Sequence, residues 1–202
     1  MGLDKGKLYD GLVDALKKGE ETEDVSGGEE GEKEAKYAEG DIAGFIADAI
    51  VAYASDAEIM LMPGPMLIPA APSPLPSSSQ NASCAVQTAD VGKAALESAI
   101  SAGFAAGDAP LAMMTVGVVA YVAASFTFFQ ATAGHLATGA TVMAVPPVLG
   151  VASSAVQSSE GALEDWCDAV ATAIHTSFLA SIFTGAGVGV DGGLGAVVSP
   201  LQ

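Results

Sequence analysis

The stretch LAMMTVGVVAYVAASFTFFQ, Leu111 to Gln130, decides how the rest of the chain is read. It holds no charged side chain, and its apolar residues follow no single face. Asp108-Ala109-Pro110 precedes it as a cap and first turn, since proline is preorganised for the first helical position. The spacing therefore predicts one helix from Leu111 to about Gln130. A helix that is apolar all round must be enclosed, whether in a core, a membrane or an assembly.

Working outward, further helices are expected on both sides. Ile42, Phe45, Ile46, Ala49, Ile50 and Tyr53 recur at intervals of three and four, which predicts a helix over Asp41–Glu58 with Asp41 as its cap. Leu96, Ala99, Ile100, Gly103 and Phe104 mark the inner face of another at Asp90–Ala106. A last one is expected over Ser159–Thr184, with Leu163, Trp166, Cys167, Val170, Ile174, Ser177, Phe178 and Ile182 along one side. Leu8, Leu12 and Leu16 give a short amphipathic helix in residues 1–19, with Lys17 and Lys18 at its C-terminal end, where the helix dipole favours cations. The expected fold class is mainly α. The expected organisation is this first helix, an acidic linker or arm over 20–40, and a helical body over 41–202. Within the body lie a Pro-rich ordered segment at 60–83 and a Gly-rich tail at 185–202, in which Asp191-Gly192 suits a turn between strands. Short echoes such as Val51-Ala52-Tyr53 and Val119-Ala120-Tyr121 are too brief to establish a duplication.

Charge narrows the function. Seven lysines, no arginine and 24 acids leave a formal charge of −17, with sixteen acids in Met1–Glu58 and none between Ala109 and Ser159. Nucleic-acid binding draws most of its affinity from neutralising phosphates, and this chain has no basic footprint for it. Bidentate arginine clamps for phosphate or carboxylate are absent too. Met1–Gly40 has no apolar run of the kind a secretion signal needs, and Gly6 stands where a myristoylation signal wants Ser or Thr.

Candidate chemistry is sparse. Cys84, His135, Cys167 and His175 show none of the short spacings by which metal ligands or a thiol dyad announce themselves. On one helix, Cys167 and His175 stand about 80° apart around the axis. The glycines of Gly185–Gly195 resemble a phosphate loop only in composition, because they follow a helix instead of opening one. Glu164, Asp165 and Asp168 suit the first turns of a helix without any catalytic role. Asn81-Ala82-Ser83 is a glycosylation sequon in form alone. No catalytic residue, metal ligand or cofactor-binding residue is therefore assigned, and the chain is read as no enzyme, with no cofactor.

Two readings of the neutral body compete. Residues 111–129 and 169–190 are long enough for Ala/Gly-rich membrane spans, yet neither is flanked by the basic residues that usually orient a span. The preferred reading is assembly. Met60, Met62, Met66, Leu67 and Ile68, and Val188, Val190 and Leu194 in the tail, are apolar residues in segments unsuited to a helix, so they are expected to be covered by a neighbouring chain. In style, the segments Met60–Pro69, Gly139–Leu149 and Thr184–Leu201 resemble structural proteins of tailed bacteriophages and related contractile particles. That resemblance implies multicopy self-assembly beside other structural proteins in a virion (head, neck, tail or baseplate), without a cofactor, and the charge already argues against nucleic-acid contact.

Overall fold

The computed structural model describes residues 2–19, 22–25, 32–35, 39–61, 82–106, 110–132, 134–149, 162–188 and 194–202. The mainly α expectation is corrected. Among the described residues, five helices accompany a six-stranded antiparallel sheet that nearly closes into a barrel, so the fold is mixed α/β.

Helix α1 (Lys5–Gly19) leads to a two-stranded ribbon, β1 (Thr22–Val25) with β2 (Glu32–Ala35), inside the segment read as a linker. Helix α2 (Glu39–Ala54) follows, then strands β3 (Glu58–Leu61) and β4 (Ala82–Val86). The hairpin of α3 (Lys93–Ala106) and α4 (Pro110–Ser125) interrupts the sheet before β5 (Phe128–Gln130) and β6 (Leu136–Met143). Helix α5 (Ala162–Leu179) precedes the final pair, β7 (Ser181–Val188) and β8 (Leu194–Pro200). Each strand from β3 to β8 pairs antiparallel with the next. At the seam, Glu58 and Gln202 exchange backbone hydrogen bonds of 3.1 and 3.0 Å, Ile59 bridges Leu201, and the Met60 N–H donates to Ser199 Oγ at 3.1 Å.

Four helices lie near their expected positions, but the decisive stretch divides. The helix ends at Ser125 because side chains take over its backbone partners. Thr88 Oγ1 donates to the Ser125 carbonyl, and Ser125 Oγ accepts from the Gly92 N–H at 2.8 Å. The Thr88 bond occupies the Ser125 carbonyl, which a continuing helix would need. Phe126 and Phe129 then enter the core, and Phe128–Gln130 joins the sheet. The expected Ser159–Thr184 helix likewise stops at Leu179, and Ser181–Thr184 belongs to β7.

The two longest strands could not lie so close without glycine. Gly139 of β6 and Gly185 of β7 are directly paired, and a Cβ on Gly139 would strike the Thr184 carbonyl oxygen and the Gly185 Cα. In the β5–β6 turn, Gly134 takes φ +86°, which suits glycine.

One aromatic chain ties barrel to helices. Phe183 meets Phe129 at 5.1 Å between centroids, and Phe129 leads through Phe126 to Phe178, which meets Tyr53 at 5.3 Å. Most of these contacts are edge-to-face, the geometry that the ring quadrupoles favour. Tyr121 branches from Phe126 and donates its hydroxyl to the Ala89 carbonyl at 2.6 Å. Barrel and helical layer thus share one core.

Candidate interaction surface

The outer face of β6, β7 and β8 is built from small and β-branched residues. Register sets nine exposed positions in a three-by-three array: Thr138–Ala186–Ala196, Ala140–Thr184–Val198 and Val142–Ile182–Pro200. Thr184 occupies the centre. Neither these strands, nor α4, nor residues 126–149 contain an Asp, Glu, Lys or Arg. The only charged residue in the six strands is Glu58.

Polarity does not separate the two faces of this wall. Thr141, Ser181 and Ser199 point inward and are buried, while their neighbours Val142, Ile182 and Val198 are 61%, 41% and 52% exposed. Moving a strand by one residue exchanges its two faces, so a half-buried strand ordinarily places its aliphatics inward. Here the register is held by Phe183, Met143, Val197 and Leu201, which fill the interior. The inward hydroxyls are satisfied: Thr141 donates to the Phe126 carbonyl at 2.7 Å, Ser181 to the Ser177 carbonyl at 2.8 Å, and Ser199 to the Pro200 carbonyl at 3.0 Å. Burying three hydroxyls is thereby made tolerable. The outward aliphatics have no such compensation within the described residues.

The wall continues past the strands. Met143 and Ser181 are paired, so the segments leaving β6 and entering β7 emerge at the same end. They bring the exposed Val145, Val148 and Leu179. Six of the ten exposed large hydrophobics among the described residues therefore lie on this wall and its extension. Thr115 Oγ1 fastens the extension to α4 by donating to the Pro147 carbonyl at 3.1 Å.

The residues expected at interfaces fall elsewhere or outside the description. Met62, Met66, Leu67, Ile68 and Val190 lie outside the described residues. Met60 is half-buried in β3 opposite Ser83, and Val188 pairs with Leu194 at the far end of β7–β8 from Val142. Ile182, read as the inner face of a helix, instead faces outward from β7. The missed signal was the alternation Ser181-Ile182-Phe183-Thr184, a period of two concealed by apolar residues on both faces.

The candidate chemical residues are dispersed. Among the described residues, no three of His, Cys, Asp and Glu gather in a way that could hold a metal ion. Cys84 and Cys167 are buried free thiols, each pushed up to about 11 by burial, so neither supplies a ready thiolate. Cys84 Sγ donates to the His135 carbonyl at 3.8 Å. His135 Nδ1 is buried with no hydrogen-bond partner among the described residues. Glu164 and Asp165 are exposed in the first turn of α5, and Asp168 pairs with Lys5 at 2.8 Å.

The nearest approach to a polar centre is Tyr53 with His175. The tyrosine hydroxyl lies 2.8 Å from His175 Nδ1 and donates to it in the neutral tautomer that carries its proton on Nε2. Burial raises the Tyr53 pKa; it lowers that of His175, with the Lys5 cation adding to the effect and Asp4 opposing it. A phenol held this firmly in its protonated form acts as a brace between α2 and α5.

Neither proposed membrane segment is a continuous helix: α4 ends at Ser125, and the described residues 169–188 are divided between α5 and β7. Among the described residues, no helix is long and apolar enough to cross a membrane. Comparison with protein-family models, with curated proteins and with solved structures gave no match.

Proposed function

We propose that this chain is a non-catalytic structural subunit that assembles with copies of itself or with other chains. The observation that supports this is the uncharged outer face of β6–β8, which leaves Val142, Ile182 and Val198 exposed while Thr141, Ser181 and Ser199 are buried. Covering Val142, Ile182 and Val198 completely gains up to about 1.5–3 kcal/mol for each side chain, less the part already buried. A surface of this kind rewards a neighbour, and it offers no general acid, nucleophile or ligand cage with which to transform one. The finer reading, a part of a phage or related contractile particle, rests on the resemblance of Met60–Pro69, Gly139–Leu149 and Thr184–Leu201 to such proteins.

Light scattering on size-exclusion fractions tests the proposal. The wild-type chain is expected to show a mass above that of one subunit, increasing with concentration, and Ile182→Asp to lower it while helical content stays unchanged. A wild-type chain that remains a monomer at every concentration would overturn the reading.

A further inference from the structure

We infer that the wall is covered by a second copy of this chain, the two β6–β8 faces meeting about a two-fold axis near Thr184; this identifies a partner within the subunit reading and rests on it. Charge selects the occupant. With a formal charge of −17, two copies repel wherever acidic surfaces approach, and the array is a face on which they can meet without opposing like charges. A basic partner, by contrast, would be drawn to the acidic helices and would gain nothing electrostatically here. Composition agrees. The nine positions are Ala, Thr, Val, Ile and Pro, with neither a bulky aromatic anchor needing a matching pocket nor a side chain carrying a formal charge. Two small-residue sheets can pack face to face at about 10 Å. A two-fold contact uses the same patch twice, and Thr184 at its centre then lies close to its own counterpart.

Area sets the strength. With strands about 4.8 Å apart and rows about 6.8 Å apart, the array covers about 300 Å² per copy. A stable pair usually buries about 800 Å² per partner. Ala144–Val148 and Leu179 enlarge the patch but add only a short strip. The pairing is therefore weak in dilute solution and grows where copies are concentrated. Salt should strengthen it by screening the mutual repulsion, the opposite of its effect on a contact between acid and base.

The experiment uses the full chain carrying Thr184→Cys with a short bismaleimide. Cys84 and Cys167 are buried and hold their protons, so the new thiol is the reactive one. A covalent dimer is expected, with a yield rising between low and high salt, while Asp14→Cys at an exposed position of α1 gives little. Thr184→Lys should weaken association at least about tenfold, by placing cations face to face. Circular dichroism checks that the fold is kept, and Thr184→Val, which retains shape without charge, should still associate. An oligomeric wild type that neither cross-links through residue 184 nor responds to Thr184→Lys would overturn this inference and leave the subunit reading intact. Association that weakens with salt would overturn it in favour of a contact between the lysines of one copy and the acids of another, and a wild-type monomer under all conditions would overturn both.

Discussion

Helices α1 and α2 and the wall of β6–β8 bury their inner faces in one core yet present opposite exteriors. On the helical side, acids are countered where lysines reach them: Lys5 with Asp168, Lys7 with Asp56, and Lys93 of α3 with Asp48. On the wall there are no charges to counter. The helical side carries charges of both signs, with Lys5, Lys7, Lys17 and Lys18 on α1 and Asp41 and Asp48 on α2, whereas the wall can be approached without desolvating a charge.

The comparison breaks most severely where the two regions meet. Phe126 touches Tyr121, Phe129 and Phe178, so it belongs to both. Phe126→Ala should cost about 3–5 kcal/mol of stability through the cavity it leaves, measured by denaturant unfolding. Near-independent melting of barrel and helices in the wild type would show that the core is not shared.

A smaller effect is expected at the brace between α2 and α5. Tyr53→Phe removes the hydroxyl that His175 Nδ1 accepts and should cost about 1 kcal/mol. The same pair sets a pH response. The folded-state pKa of His175 lies below its ordinary 6.5, so the unfolded chain takes up the proton first. Its contribution is complete above pH 6.5 and is lost as pH falls from there through the folded value. Tyr53, Lys5 and Asp4 bear on this ring, and Lys5 is in turn held by Asp168 and by Thr172 Oγ1 at 3.3 Å. Unfolding followed between pH 7 and 5 should slope less in His175→Gln than in the wild type.

Lys5→Ala should change stability by no more than about 1 kcal/mol, because its pair with Asp168 is exposed and screened by salt. The smallest effect belongs to the wall itself. Ile182→Thr should shift monomer stability by about 0.5 kcal/mol or less while reducing association. A large loss of stability in the monomer would mean that the face is part of the fold's own core, ending the contrast drawn here.

The helices were legible because their inner faces combine large side chains with a period near 3.6, as in Ile42, Ile46, Ile50 and Tyr53. The barrel was concealed for a physical reason. In β6, Leu-Ala-Thr-Gly-Ala-Thr-Val-Met sends Ala137, Thr141 and Met143 inward and Thr138, Ala140 and Val142 outward, so neither face stands out by polarity. Phe126–Gln130 was hidden differently, since it continues an apolar helix without proline or glycine to mark the break. The stop depends on Thr88 and Gly92, more than thirty residues earlier in the chain. The interaction wall was missed with the strands, because its residues form a surface only once β6, β7 and β8 lie side by side.

The seam between β3 and β8 also imposes an order in time. Met60 and Ser199 are 139 residues apart, whereas the other strand partners are joined through neighbours in a sequential meander. Contacts between distant residues carry the largest closure cost and tend to form late. During synthesis, β3 must wait for β8 before the ring can shut. Strand β8 also supplies Ala196, Val198 and Pro200, the third column of the exposed array. The same late strand therefore closes the barrel and completes its outer wall, so a chain interrupted earlier has neither. A truncated or stalled copy would lack the surface proposed to join finished copies.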